Sequence, residues 1–201
     1  MPAFLRIAFG LAVFFAIAWQ LKIHVDASYD VVNFFSYFTN LSNLFAAAVL
    51  IVAALRLFHG AGIDLLRGTA VVAMALVGLV FGALLRNVDL GSLLPWINTL
   101  LHYVMPCVLV IDWLLDPPRT ALRARHLAIA LAFPIVYLIY VLVRGSLVAW
   151  YPYPFLNPAH VGGYGGVVAY AAAIAVAFVA VGWLLFGVGN RLRGRRAMFA
   201  D

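Results

Sequence analysis

Apolar residues run along this chain in six long blocks, at about 4–21, 34–55, 67–85, 93–115, 127–143 and 164–187. Short stretches rich in charge, proline or glycine separate them. A bilayer core takes roughly 20 apolar residues of helix, so the pattern predicts six transmembrane helices in one all-α, polytopic membrane domain. The first block has a second reading. Arg6, an apolar run and Ala16-Ile17-Ala18 have the layout of a cleavable signal peptide. The run continues through Trp19 and Leu21, which favours a full span.

Composition agrees with burial in lipid. Hydrophobic residues make up 67% of the chain and charged ones 10%, against about 25% charged in soluble domains. The net charge of +6 would suggest nucleic acid only on a polar domain, and the sequence has none, so no nucleic-acid partner is expected. Topology explains the arginines better. Arg6, Arg56, Arg67, Arg119, Arg123, Arg125, Arg191, Arg193, Arg195 and Arg196 fall on one side of the predicted membrane. Lys22, Arg86 and Arg144 fall on the other. Basic residues accumulate in cytoplasmic segments, which predicts both termini inside (N-in, C-in) and a multi-pass protein of the plasma (inner) membrane. The single cysteine, Cys107, excludes an internal disulfide and any cysteine-based metal cluster; it reads as a small buried residue. Oligomeric state is not encoded in these features.

Small residues point to close helix contacts. Gly78 and Gly82 form a GxxxG pair, a spacing that lets helices approach in lipid. Gly162, Gly163, Gly165 and Gly166 superficially resemble a phosphate loop, but no Lys-Ser/Thr follows, so they read as packing or a turn. No cofactor or metal is implied.

Polar residues at membrane depth carry the chemical information. Ser36, Thr39, Asn40 and Asn43 stand at i, i+3, i+4 and i+7, one stripe on a helix that should face the bundle interior. In the fourth block Asn98 and His102 are one turn apart, with Tyr103 adjacent, and Pro106 removes the amide that the His102 carbonyl would bind. Both blocks run from outside to inside. Thr39 and His102 are expected roughly 8 and 14 Å below the outer surface, near enough to meet if the helices tilt. A hydroxyl beside an imidazole is the minimum for nucleophilic catalysis, with the histidine as general base. Asn40, Asn43 or Asn98 would serve as oxyanion donors. The competing structural reading has these groups bonding to neighbouring helices or to carbonyls one turn back.

Other polar groups are weaker candidates. Asp112 falls on a different helical face from His102 and, with Asp116, is expected to mark the membrane interface. Arg86 and Asp89 would contact a carboxylate or headgroup, or anchor at the surface. The segment Trp150-Tyr151-Pro152-Tyr153-Pro154-Phe155-Leu156-Asn157 is either an aromatic belt or a cover over the site, with Tyr153 a substrate-binding candidate.

Several of these pieces recur together in a known family. Thr39 within Tyr37-Phe38-Thr39, Trp96-Ile97-Asn98 followed by His102, Asp112 ten residues later and Tyr153-Pro154-Phe155-Leu156 resemble, in order, the androgen-induced and androgen-dependent transmembrane hydrolases of animals and their bacterial six-helix relatives. The resemblance implies hydrolysis of fatty acid esters of hydroxy fatty acids, with Thr39 as nucleophile, His102 as base and a membrane lipid or lipid-like ester as partner, reached from the outer leaflet. The chain departs from the animal proteins at Thr99, where they carry a second histidine.

Two other function classes compete. A metal enzyme would draw on His24, His102 and His160 with Asp26 or Asp30, although these lie in separate elements. A non-catalytic binding, transport or assembly protein would use the polar stripe for packing alone. No internal repeat or charged path supports transport.

Overall fold

The computed structural model describes residues 1–89 and 91–198; the side chain of Arg196, counted above among the tail's charges, lies outside the described residues. Six helices are long and apolar enough to cross a membrane. Span one is Ala3–Asp26, span two Phe38–Leu55, span three Ala61–Leu85, span four Pro95–Leu115 and span five Ala124–Val148. Span six runs Tyr164–Met198, eleven residues past the expected end. The fold is that of a multi-pass membrane protein. Exposed Phe4, Leu11, Ile139, Val168 and Val176 belong against acyl chains.

Span three is the axis. Sixty-one per cent of its membrane window is buried, against 17% for span five and 22% for span six. Spans two, four, five and six pack around it, and span one is carried by span two. Small residues permit close approaches between spans. A side chain at Gly10 would meet Ile51 at 2.7 Å, and one at Gly78 would meet Pro106 at 3.1 Å. Gly82, the other half of the GxxxG pair, has nothing within 4 Å, so only Gly78 is used for close packing. Gly162 and Gly163 have φ of 74° and 92°, a left-handed turn leading into span six that suits glycine.

At the end of the bundle where spans one and three begin and span four finishes, charges are buried against one another. Arg6 Nε donates to Asp112 Oδ1 at 2.8 Å and its Nη2 to Asp116 Oδ2 at 2.6 Å. Arg67 Nη2 donates to Asp112 Oδ2 at 3.0 Å and to the Asp116 carbonyl at 2.6 Å. Asp112 is only 2% exposed. It ties spans one, three and four together. Trp113 extends the tie, since its indole N–H donates to the Leu185 carbonyl of span six at 2.8 Å. The reading of Cys107 as buried is corrected, because it is exposed on the helix flank.

Removing one member of a buried ion pair leaves the other charge uncompensated, at about 3–5 kcal/mol. Asp112→Ala should therefore lower the thermal stability of detergent-purified protein by that order. A melting curve matching the parent would show that Arg6 and Arg67 do not depend on it.

Candidate functional site

The second apolar block is not one helix. A short helix, Val31–Phe35, is capped by Asp30, whose carboxylate accepts from the Val32 N–H at 2.7 Å. The chain then breaks at Ser36–Tyr37 before span two begins. In an apolar setting each backbone group released by a break must find another partner. Asn40 Nδ2 donates to the Phe34 carbonyl at 2.8 Å, and Tyr137 Oη donates to the Ser36 carbonyl at 2.9 Å. The break also makes Thr39 the second residue of span two. Its N–H, one of the four amides a helix start leaves without an intrahelical acceptor, donates to Tyr153 Oη at 3.3 Å.

Span four presents the histidine from a π turn, Leu100–Val104, inserted just ahead of Pro106. Here the Met105 N–H reaches back five residues to the Leu100 carbonyl. The Leu101 carbonyl thus loses that amide, and the next residue able to reach it, Pro106, has none. Asn43 fills the gap: its Nδ2 donates to Leu101 O at 3.2 Å and to Thr39 O at 2.9 Å. The carbonyl freed by the proline and recaptured across the interface is therefore Leu101, one residue before the expected His102. Span three carries a matching π turn, Phe81–Leu85, and Phe81 stacks on the His102 ring with centroids 4.0 Å apart and planes at 26°. Such single π turns are rare and recur at functional sites.

Thr39 Oγ1 and His102 Nε2 are 3.2 Å apart. His102 Nδ1 is 3.2 Å from the Asn98 carbonyl. A carbonyl only accepts, so Nδ1 carries the proton and Nε2 presents its lone pair to the threonine hydroxyl. Both side chains are 7% exposed. Burial raises the Tyr153 hydroxyl above the ordinary tyrosine range, which keeps it protonated and able to donate.

Two cavities meet at Thr39. A polar one of about 410 Å³ is lined by Gln20, His24, Asp30, Asn40, Thr39 and His102, among others. An apolar one of about 130 Å³ runs among spans three, five and six. Thr39, Phe81, Leu85 and Tyr153 line both. The fifth connection bends inward to form their shared wall: Tyr153 and Phe155 stack with centroids 5.1 Å apart, and Tyr153, Phe155 and Leu156 are buried.

The remaining candidates divide clearly. Asn40 lines the polar cavity. Asn43 is fully buried between spans two and four and lines neither cavity. Asn98 contributes its backbone carbonyl, while its side-chain oxygen is buried without a partner among the described residues. Ser36 departs from the predicted stripe because of the break, with its hydroxyl on Val32 O at 2.7 Å and Tyr140 Oη at 2.9 Å. Tyr103 is 49% exposed on the lipid side, edge-on to Phe81. Arg86 is exposed and lines neither cavity, whereas Asp89 lines the polar one. His24 also lines the polar cavity but His160 does not, and among the described residues no three metal-binding side chains converge.

Sequence reasoning missed Phe81 and Gln20. The Gln20 side chain donates to Ser92 O at 3.0 Å and accepts from the Leu94 N–H at 3.1 Å, pinning the start of span four to span one. An amide inside an apolar run was its available signal. Phe81 gave none among so many apolar residues.

A six-helix membrane bundle with a buried threonine–histidine pair between two cavities is thus the class that fold and site define. The sequence model of the FAR-17a/AIG1-like proteins matches residues 78–186, over half the chain, and the chain belongs to that family. The match contains His102 and Tyr153 but not Thr39. No curated protein and no solved structure matches the chain.

Asn43 should be the brace of this arrangement. Asn43→Ala would remove the side-chain donor shared by the Leu101 and Thr39 carbonyls. Thr39 keeps the backbone amide of residue 43, so the cost is that of the orphaned Leu101 carbonyl, about 1–3 kcal/mol. Asn43→Asp, which turns a donor into an acceptor facing those carbonyls, should cost at least as much. Asn98→Ala should cost less than either. Thermal unfolding of the three variants orders them, and a reversed order would remove Asn43 from this role.

Proposed function

We propose that this protein is an intramembrane lipid-ester hydrolase in which Thr39 is the nucleophile and His102 the general base. The observation that carries the reading is the 3.2 Å contact between Oγ1 and Nε2, with the tautomer fixed through Asn98. Family membership is consistent with a hydrolase, and a site between a polar and an apolar cavity suits a substrate with one polar and one hydrocarbon side.

Thr39 Oγ1 attacks the acyl carbonyl carbon as its proton passes to His102 Nε2. The tetrahedral oxyanion is met by the Tyr153 hydroxyl, which the Thr39 N–H holds at the positive end of the span-two helix. Collapse breaks the bond to the alcohol, which departs with the proton from Nε2. A water deprotonated by the same nitrogen then attacks the acyl-threonine, releasing the fatty acid and restoring the hydroxyl. The distribution of arginines supports a site in the outer leaflet. Fatty acid esters of hydroxy fatty acids are the substrates that the family resemblance suggests.

A fluorophosphonate probe should label the detergent-purified protein, and labelling should vanish in Thr39→Ala and His102→Ala variants that melt like the parent. A well-folded parent that takes no label would instead indicate a binding protein. Tyr153→Phe should lower kcat for a fatty acyl ester by about 10²–10³, the usual loss for one oxyanion donor. An unchanged kcat would assign Tyr153 to packing alone.

A further inference from the structure

The apolar cavity has a shape that the hydrolase reading leaves unused. Its upper wall includes Thr39 of the threonine–histidine pair, and its lower end reaches Leu76, Leu131 and Phe178. From Leu85 to Leu76 span three descends roughly 13 Å, close to one leaflet of a bilayer whose hydrocarbon core is about 30 Å thick. Phe178 is 1% exposed and Leu76 3%, so this end is closed by packed core. The side is not closed. Ile135 of span five is 51% exposed and Ala175 of span six is also exposed, yet both line the cavity. A residue that belongs to a cavity wall and to the lipid-facing surface marks an opening. Spans five and six are also the least buried of the six, and at the opening span six presents the small side chains of Ala171 and Ala175.

We propose that this cavity is the acyl-chain site, loaded directly from the bilayer through the opening between spans five and six, with Phe178 as its floor. The inference rests on Thr39 being the nucleophile and adds a direction to the ester. The hydrocarbon of the acyl half lies between spans three, five and six, and the alcohol half faces the polar cavity and leaves through it. An ester bound this way puts its carbonyl at the junction lined by Thr39 and Tyr153. The two cavities differ in what they solvate: the walls of one are hydrocarbon, while those of the other include Gln20, Asp30, Asn33 and Asp89. A chain arriving from lipid exchanges one hydrocarbon surrounding for another and gains little from burial itself, so the site selects by length and shape.

The test uses the full chain in lipid nanodiscs and a palmitoyl ester of a neutral alcohol with a diazirine midway along its acyl chain. In the Thr39→Ala variant, which holds ester without cleaving it, photolysis should place adducts within 131–138 and 171–178. Adducts confined to 20–34, 88–93 or 150–154, or none above a free-lipid control, would overturn the proposal. Ala175→Trp, on an exposed position where the ring meets lipid, should cut this labelling at least tenfold. It should also lower the palmitoyl-to-butyryl ratio of kcat/KM at least tenfold in the chain that retains Thr39. Ala172→Trp, exposed on the same helix but not in the cavity wall, should leave both readings at parent values. A ratio that falls equally in the two variants would refute the opening. If the parent cleaves neither ester, the hydrolase reading fails, and the photolabelling alone decides whether the cavity takes an acyl chain.

Discussion

Unpaired backbone groups cannot be left in hydrocarbon, and this constraint organises the site. Pro106 removes an amide from span four, and the π turn before it shifts the registers of the neighbouring bonds, leaving the Leu101 carbonyl to be satisfied from outside its own helix. Asn43 does so and holds the Thr39 carbonyl with the same nitrogen. One side-chain amide therefore fixes the element that carries the hydroxyl against the element that carries the imidazole. The break before span two follows the same rule. Its freed carbonyls are taken by Asn40 and Tyr137, and an amide at the new helix start is turned toward Tyr153.

The opposite end of the bundle is held differently. Arg6, Arg67, Asp112 and Asp116 bring spans one, three and four together. Charges that a sequence count assigns to topology are thus also internal ties. Spans five and six expose most of their faces to lipid and are tied to the bundle at discrete points, among them span five through Tyr137 and Tyr140 to Ser36 and span six through Asn190 to Leu122. The fifth connection closes the remaining wall through stacked Tyr153 and Phe155, so a segment between helices supplies a group to the site.

Six helices, their approximate limits and the membrane as solvent were legible in the sequence, because length and hydrophobicity alone decide whether a helix can cross a bilayer. Thr39 and His102 stood out for a related reason: polar groups at depth are costly and few, so they are conspicuous. The one-helix stripe through Ser36, Thr39, Asn40 and Asn43 failed at its first member. Periodicity carries no sign of a break whose freed carbonyls are satisfied by side chains distant in sequence, such as Tyr137.

What only the tertiary structure decided was partnership. The sequence holds Asn43, Leu101 and Pro106 but not the crossing that sets the amide against the orphan carbonyl. Nor does it show that Asp112 is enclosed by two arginines from other spans, or that Phe81 covers the imidazole. Those facts depend on the relative rotation and depth of neighbouring helices, which in lipid are set by packing and by hydrogen bonds between helices. Each helix can be read from its own residues, but a contact belongs to two helices at once.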